Sequence, residues 1–177
     1  RPPGRGPKAG RRVMGSRPEP ELDEIYREII LDHYRRPRNR GLVPDATVSA
    51  EGVNPICGDQ LTLTLRLEGD TIAAVGFKGS GCAISQSSAS LMTEAIRQRR
   101  LSDAARLKRA FEAMMIEGAA PTAELGDLEA LQGVRKLPAR VKCALLAWKV
   151  LGEALTERQG AATVTTEAED DRSPAKG

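Results

Sequence analysis

The sequence predicts a domain of mixed helices and strands, and three observations carry that prediction. Leu61, Leu63, Leu65 and Leu67 alternate with Thr62, Thr64 and Arg66, the period-two pattern of a strand buried on one face. Glu68-Gly69-Asp70 then turns the chain, and Ile72 to Phe77 supplies the return strand of a hairpin. On either side the periodicity becomes helical, in residues 19–35, in 83–99 and from Pro138 to about Arg158.

In the first helix Leu22, Ile25, Tyr26, Ile29, Ile30 and His33 share one broad apolar stripe, and Pro37 stops it. Residues 46–51 are expected to form a short edge strand. Gly79-Ser80-Gly81-Cys82 reads as a flexible loop leading into the helix over 83–99. There Ser85, Ser87, Ser88 and Ala89 are small enough to let another element approach closely. Ser102 is expected to cap a further helix, with Leu101, Ala104, Phe111, Met114 and Met115 on its buried face. Residues 118–126 read as a linker and 127–133 as a short helix, and Pro138 suits the first turn of the last one.

At 177 residues the chain is long enough for one domain with its own core. Aromatic residues make up only 3%, so that core must be built from Leu, Ile, Val, Ala and Met. No apolar run approaches the roughly 18 residues of a membrane-spanning helix. The basic N-terminus lacks the apolar segment of a signal peptide. The net charge of +3 hides two unlike parts. Residues 1–17 carry Arg1, Arg5, Lys8, Arg11, Arg12 and Arg17 and no acid, leaving 21 basic against 24 acidic residues elsewhere. Such a Pro/Gly/Arg-rich stretch is expected to be a solvated, disordered tail, and no nucleic-acid partner is expected. Met14 is a candidate natural start, with residues 1–13 an upstream extension. Residues 159–177 are polar and acidic without periodicity and are expected to be a second disordered tail, leaving 18–158 as the domain.

The three cysteines, Cys57, Cys82 and Cys143, are odd in number and widely spaced. That pattern fits a reducing, cytoplasmic setting and metal-binding or catalytic thiols better than disulfides. In Val53-Asn54-Pro55-Ile56-Cys57-Gly58-Asp59, Pro55 and Gly58 shape a turn, and residues two apart in extended chain point the same way. Cys57 and Asp59 can therefore face one point, where their charges repel unless a cation lies between them. Three sulfurs and one carboxylate complete a tetrahedral set for Zn2+: Cys57, Asp59, Cys82 and Cys143.

Cys82 stands where a glycine-rich loop meets a helix N-terminus, a position that favours an anion. Cys143 lies off the stripe of Val141, Ala144, Leu145, Trp148, Leu151 and Leu155 on the last helix. Arg140 precedes it by one turn on the same face, where a cation favours thiolate and balances an anionic site. Each cysteine also has a packing reading, Cys143 against a second element beside Ala147 and Val150. His33, on an apolar stripe, reads as a satisfied buried residue and not as a ligand. There is no Ser-His-Asp constellation, P-loop or dinucleotide fingerprint.

The chain resembles the SufU branch of the IscU/NifU-type iron–sulfur cluster assembly family, in order, from about residue 21 to 157. The matching segments are Leu31-Asp32-His33-Tyr34 with Pro37-Arg38-Asn39, then Asn54-Pro55-Ile56-Cys57-Gly58-Asp59 and Gly79-Ser80-Gly81-Cys82-Ala83-Ile84-Ser85. Ala130-Leu131-Gln132-Gly133-Val134 follows, and last Pro138-Ala139-Arg140-Val141-Lys142-Cys143-Ala144-Leu145-Leu146-Ala147-Trp148. Lys142 stands where the IscU type has a histidine before its last cysteine, and the interval from Cys82 to Cys143 is long, both as in SufU-like members. The resemblance implies an α+β fold of SufE/NifU-like kind, a small antiparallel sheet packed against helices with the metal site at one end. It also implies zinc on Cys57, Asp59, Cys82 and Cys143 and a SufS-type cysteine desulfurase as partner.

Three functions follow from these residues. The first is a zinc-dependent sulfur acceptor, sulfurtransferase-like and not a stand-alone enzyme, which takes persulfide sulfur on Cys57 and hands it to downstream iron–sulfur assembly proteins. The second is a scaffold on which Cys57, Cys82 and Cys143 hold a transient iron–sulfur cluster. The third is a structural zinc module with a basic nucleic-acid-binding tail. Lys142 favours the first over the second.

Overall fold

The alternating leucines form the centre of the molecule. Asp59–Glu68 is a strand (β2) whose Leu61, Leu63 and Leu65 are buried. It pairs antiparallel with Val48–Asn54 (β1) on one side and Thr71–Ser80 (β3) on the other. Gly69, at φ +59°, makes the tight β2–β3 turn. This is a computed structural model, which describes residues 20–156 and the strand at 161–165.

The sheet differs from the sequence expectation in two places. The strand expected at 46–51 as an edge is β1, and it lies inside the sheet. Ala161–Thr165 (β4) runs parallel beside it, with Ser49 opposite Ala161 and Val53 opposite Thr165, giving the order β3-β2-β1-β4. The segment expected to be structureless from 159 thus holds a strand, because pairing to an open sheet edge uses backbone groups and needs no apolar pattern. Residues 1–17, the expected basic tail, and 166–177 lie outside the described residues. Gly79 and Ser80 belong to β3 and not to a flexible loop. Gly79 pairs with Leu61, and a Cβ there would overlap the Gln60 carbonyl, so glycine lets the strand continue.

Four α-helices are described: Pro20–Arg35 (α1), Ala83–Ile96 (α2), Leu101–Glu112 (α3) and Pro138–Thr156 (α4). α4 packs across β1 and β2, α2 packs on α4, and α1 on α2. The small serines of α2 do admit a close neighbour. Ser88 Oγ donates to the Ala144 carbonyl at 2.6 Å and accepts from Trp148 Nε1 at 3.3 Å. Trp148, fully buried, stacks on Phe111 with ring centroids 4.5 Å apart.

The buried stripe of α1 is narrower than expected, with Ile25 54% exposed. α3 is not capped by Ser102: it starts at Leu101, whose N–H donates to the Asp70 carbonyl at 2.8 Å. The β2–β3 turn thus satisfies this helix start in place of a side chain. After α3 come a π-helical turn, Ala113–Glu117, and a 3-10 stretch, Ala123–Lys136, broken at Gly126 (φ 51°, ψ −128°). The helix expected at 127–133 lies within that stretch. Among the described residues no helix is long and apolar enough to cross a membrane.

Candidate metal centre

Asn54 and Asp59 are the last register pair of the β1–β2 ladder, so residues 55–58 make the connecting turn. Gly58 takes φ +68° and Ile56 is 65% exposed, so the turn stands out from the body and carries half-buried Cys57. Asp59 begins β2 on the same face as Leu61 and is fully buried. From the opposite side α4 brings Cys143, also fully buried. The ligand atoms of Cys57, Asp59 and Cys143 all lie within 4.8 Å of one another. A tetrahedral zinc, with Zn–S about 2.3 Å and Zn–O about 2.0–2.2 Å, needs ligand atoms somewhat under 4 Å apart. Small side-chain rotations close the set, so these residues fit the ion.

The electrostatics point the same way. Two thiols beside a buried carboxylate form an acidic cluster, whose ionised forms repel unless a cation lies among them. Burial first, then hydrogen bonding with Cys57 and with Asp59, holds the Cys143 thiol far above its ordinary range. A bound metal must displace that proton. The cation at the rim is Arg140, exposed on the first turn of α4. Its guanidinium lies against the sulfurs of Cys143 and Cys82, which raise its own pKa.

Cys82, the fourth expected ligand, sits at the mouth but outside the three-residue group. It is the N-cap of α2 (φ −72°, ψ 167°), and its sulfur accepts the Ser85 N–H at 3.5 Å. Its backbone N–H meets the cluster, donating to Asp59 Oδ1 at 3.0 Å. His33 behaves as a satisfied core residue, its Nδ1 2.8 Å from Ser90 Oγ and its Nε2 3.6 Å from Glu94.

Two residues at the site escape a reading of the sequence. Asn54, 1% exposed, donates from Nδ2 to Asp59 Oδ2 at 3.2 Å and to Cys143 Sγ at 3.5 Å. Its position before Pro55, closing the turn opposite Asp59, is the signal that could have found it. Gly81, at φ +151°, is the other. A Cβ on it would overlap Asp59 Oδ1 and come within 2.7 Å of Ser85 Oγ. A glycine directly before the cysteine that caps α2 is its only trace in the sequence.

Comparison with known proteins agrees with this architecture. The profile of the NifU-like N-terminal domain matches residues 25–160. The zinc-dependent sulfurtransferase SufU of Bacillus subtilis is 45% identical over 141 residues, covering 78% of this chain and 95% of that protein. The iron–sulfur cluster assembly scaffold protein IscU of Streptococcus pyogenes is 36% identical over 146 residues, covering 82% and 91%. The crystal structure of the SUF-system protein FiSufU from Fervidobacterium islandicum superimposes with a TM-score of 0.70 at 38% identity, covering 75% of this chain and 97% of that one. The match over most of the chain, in sequence and in fold, shows that the chain belongs to the NifU-like N-terminal domain family, alongside SufU and the IscU-type assembly proteins.

Proposed function

We propose that this protein is a zinc-dependent sulfur acceptor in iron–sulfur cluster assembly. It takes sulfur from the persulfide of a SufS-type cysteine desulfurase in the cytoplasm and passes it to downstream assembly proteins. The observation that supports this most is a buried carboxylate and two thiols converging within 4.8 Å, one of the thiols on an exposed turn. Cys57, Asp59, Cys82 and Cys143 would hold the zinc, whose charge keeps thiols deprotonated at neutral pH. The site then carries three thiolates, a carboxylate and Zn2+, a net −2 that Arg140 offsets at the rim.

Cys57 is the acceptor. Cys143 is fully buried within a helix and Cys82 caps one, whereas Cys57 rides on a turn that a small backbone shift can open. Its thiolate attacks the outer sulfur of the enzyme persulfide. A new S–S bond forms on Cys57, the bond to the enzyme's cysteine breaks, and that cysteine leaves as thiolate, so no outside oxidant or reductant is needed.

The scaffold reading draws support from the 36% identity to an IscU protein and from thiolates that suit iron as well as zinc. Lys142, in place of the histidine of the IscU type, weighs against it. A structural zinc module would close its site, and the exposed Cys57 turn does not fit that. Desulfurase turnover, measured with and without the protein and with metal content in parallel, separates the three. Sulfur acceptance requires that turnover rise with the zinc-loaded protein. Unchanged turnover would refute it, and a coloured iron–sulfide product would favour the scaffold.

A further inference from the structure

We propose that Asn54 is a positioning residue that biases which ligand leaves the metal, by tethering Asp59 and Cys143 while Cys57, on its exposed turn, comes free. The inference rests on the reading of the cluster as a zinc site that accepts sulfur.

An asparagine amide carries two N–H donors on one nitrogen. Here both are spent inside the site, one on Asp59 Oδ2 at 3.2 Å and one on Cys143 Sγ at 3.5 Å. The three residues stand on β1, β2 and α4, so one side chain ties the sheet to the helix at the cluster. At 1% exposure Asn54 is out of reach of competing water. The other Asp59 oxygen is held by the Cys82 N–H at 3.0 Å.

The ligand set is thereby divided. Asp59 has both oxygens held, and Cys143 is buried with an N–H bond to its sulfur. Cys57 rides on the exposed turn beside Ile56, where the backbone can shift. A hydrogen bond to a thiolate also draws on its electron pairs and makes it a poorer nucleophile, so the tether suppresses Cys143 as a rival acceptor. Closing a hairpin turn would not by itself require a side-chain amide, because the ladder does that with backbone groups.

The test uses the zinc-loaded full chain and Asn54→Ala, with a chromophoric chelator added in a stopped-flow instrument. Removing a donor that orients metal ligands lowers metal affinity about 10–100-fold, so zinc release should quicken by about tenfold or more. After mixing with persulfidated desulfurase, mass spectrometry should find sulfur on Cys57 alone in the unchanged protein and on both Cys57 and Cys143 in the variant. A purely structural role would lower the melting temperature and leave release rate and sulfur position unchanged, and that result overturns the proposal. If Asn54→Ala does not fold, Asn54→Ser decides: its single hydroxyl can serve Asp59 or Cys143 but not both, so faster release is still expected, and release at the unchanged protein's rate refutes the role. The chelator measurement needs no desulfurase. If the unchanged protein holds zinc but takes no sulfur, the sulfur-acceptor reading fails, while Asn54 is still judged by zinc release. If it holds no zinc, the proposal falls with the metal site.

Discussion

Gly81 leaves no space for a side chain beside Asp59: a Cβ at that position would overlap the carboxylate oxygen that accepts the Cys82 N–H. The bare backbone lets the start of α2 close over the buried carboxylate. Gly81→Ala should therefore push Asp59 out of line with Cys57 and Cys143. The expected result is a loss of about 1–3 kcal/mol in stability, from strain at φ +151°, together with weaker zinc binding. Denaturant midpoints and chelator competition measure the two; unchanged values in both would mean the carboxylate is free to move.

Arg140 should act on chemistry and not on folding. It is exposed, and its guanidinium faces the Cys143 and Cys82 sulfurs. Arg140→Ala is expected to keep the melting temperature while slowing sulfur uptake several-fold at low salt, an effect that shrinks as ionic strength rises. Kinetics identical to the unchanged protein's at low salt would remove it from the site.

The buried histidine gives a dependence on pH. Burial, then the Arg38 charge, holds His33 below its ordinary value of 6.5, against the opposing pull of Glu94, Asp32 and Asp127. Above that value neither the folded nor the unfolded chain is protonated here, and nothing is gained or lost. As the pH falls below it, the unfolded chain takes up its proton first, so stability drops until the folded value is passed. His33→Gln keeps a polar partner for Ser90 and removes the titration. Urea midpoints of the two proteins should converge between about pH 7 and 5.5. A constant difference across that range would mean that the folded and unfolded chains bind the His33 proton equally, so that burial does not shift it.

The two ends of the chain should differ. Removing residues 1–17 is expected to leave melting temperature and zinc content unchanged, since that stretch has no apolar periodicity. Ending the chain at residue 158 removes β4 and bares the edge of β1, which should lower the melting temperature by about 2–8 °C. Equal melting temperatures for the full and C-terminally shortened chains would show that the parallel pairing contributes nothing.

Much of the site was legible because its signals are local. Cys57 and Asp59 stand two residues apart at the entry to an alternating strand, and Cys143 falls off the apolar stripe of its own helix. What stayed hidden depends on partners distant in sequence or on backbone pairing. Asn54 acts on a sulfur 89 positions away. β4 joins its neighbour without any apolar pattern. That the Cys82 sulfur also caps its own helix follows from its place before α2, a position where a side chain can accept a backbone N–H. The small residues of α2 were read correctly as admitting a neighbour. That Ser88 would also be the partner of Trp148 could not be read from α2 alone.

The most direct test of the central claim is the fate of labelled sulfur on Cys57→Ala. The variant is loaded with zinc, its metal content is verified, and it is mixed with desulfurase carrying a labelled persulfide. Mass spectrometry then locates the label. If Cys57 is the acceptor, the variant takes up no sulfur while the unchanged protein carries it on Cys57. Label transferred to Cys143 at a comparable rate would contradict the account and favour a scaffold-like route through the last cysteine.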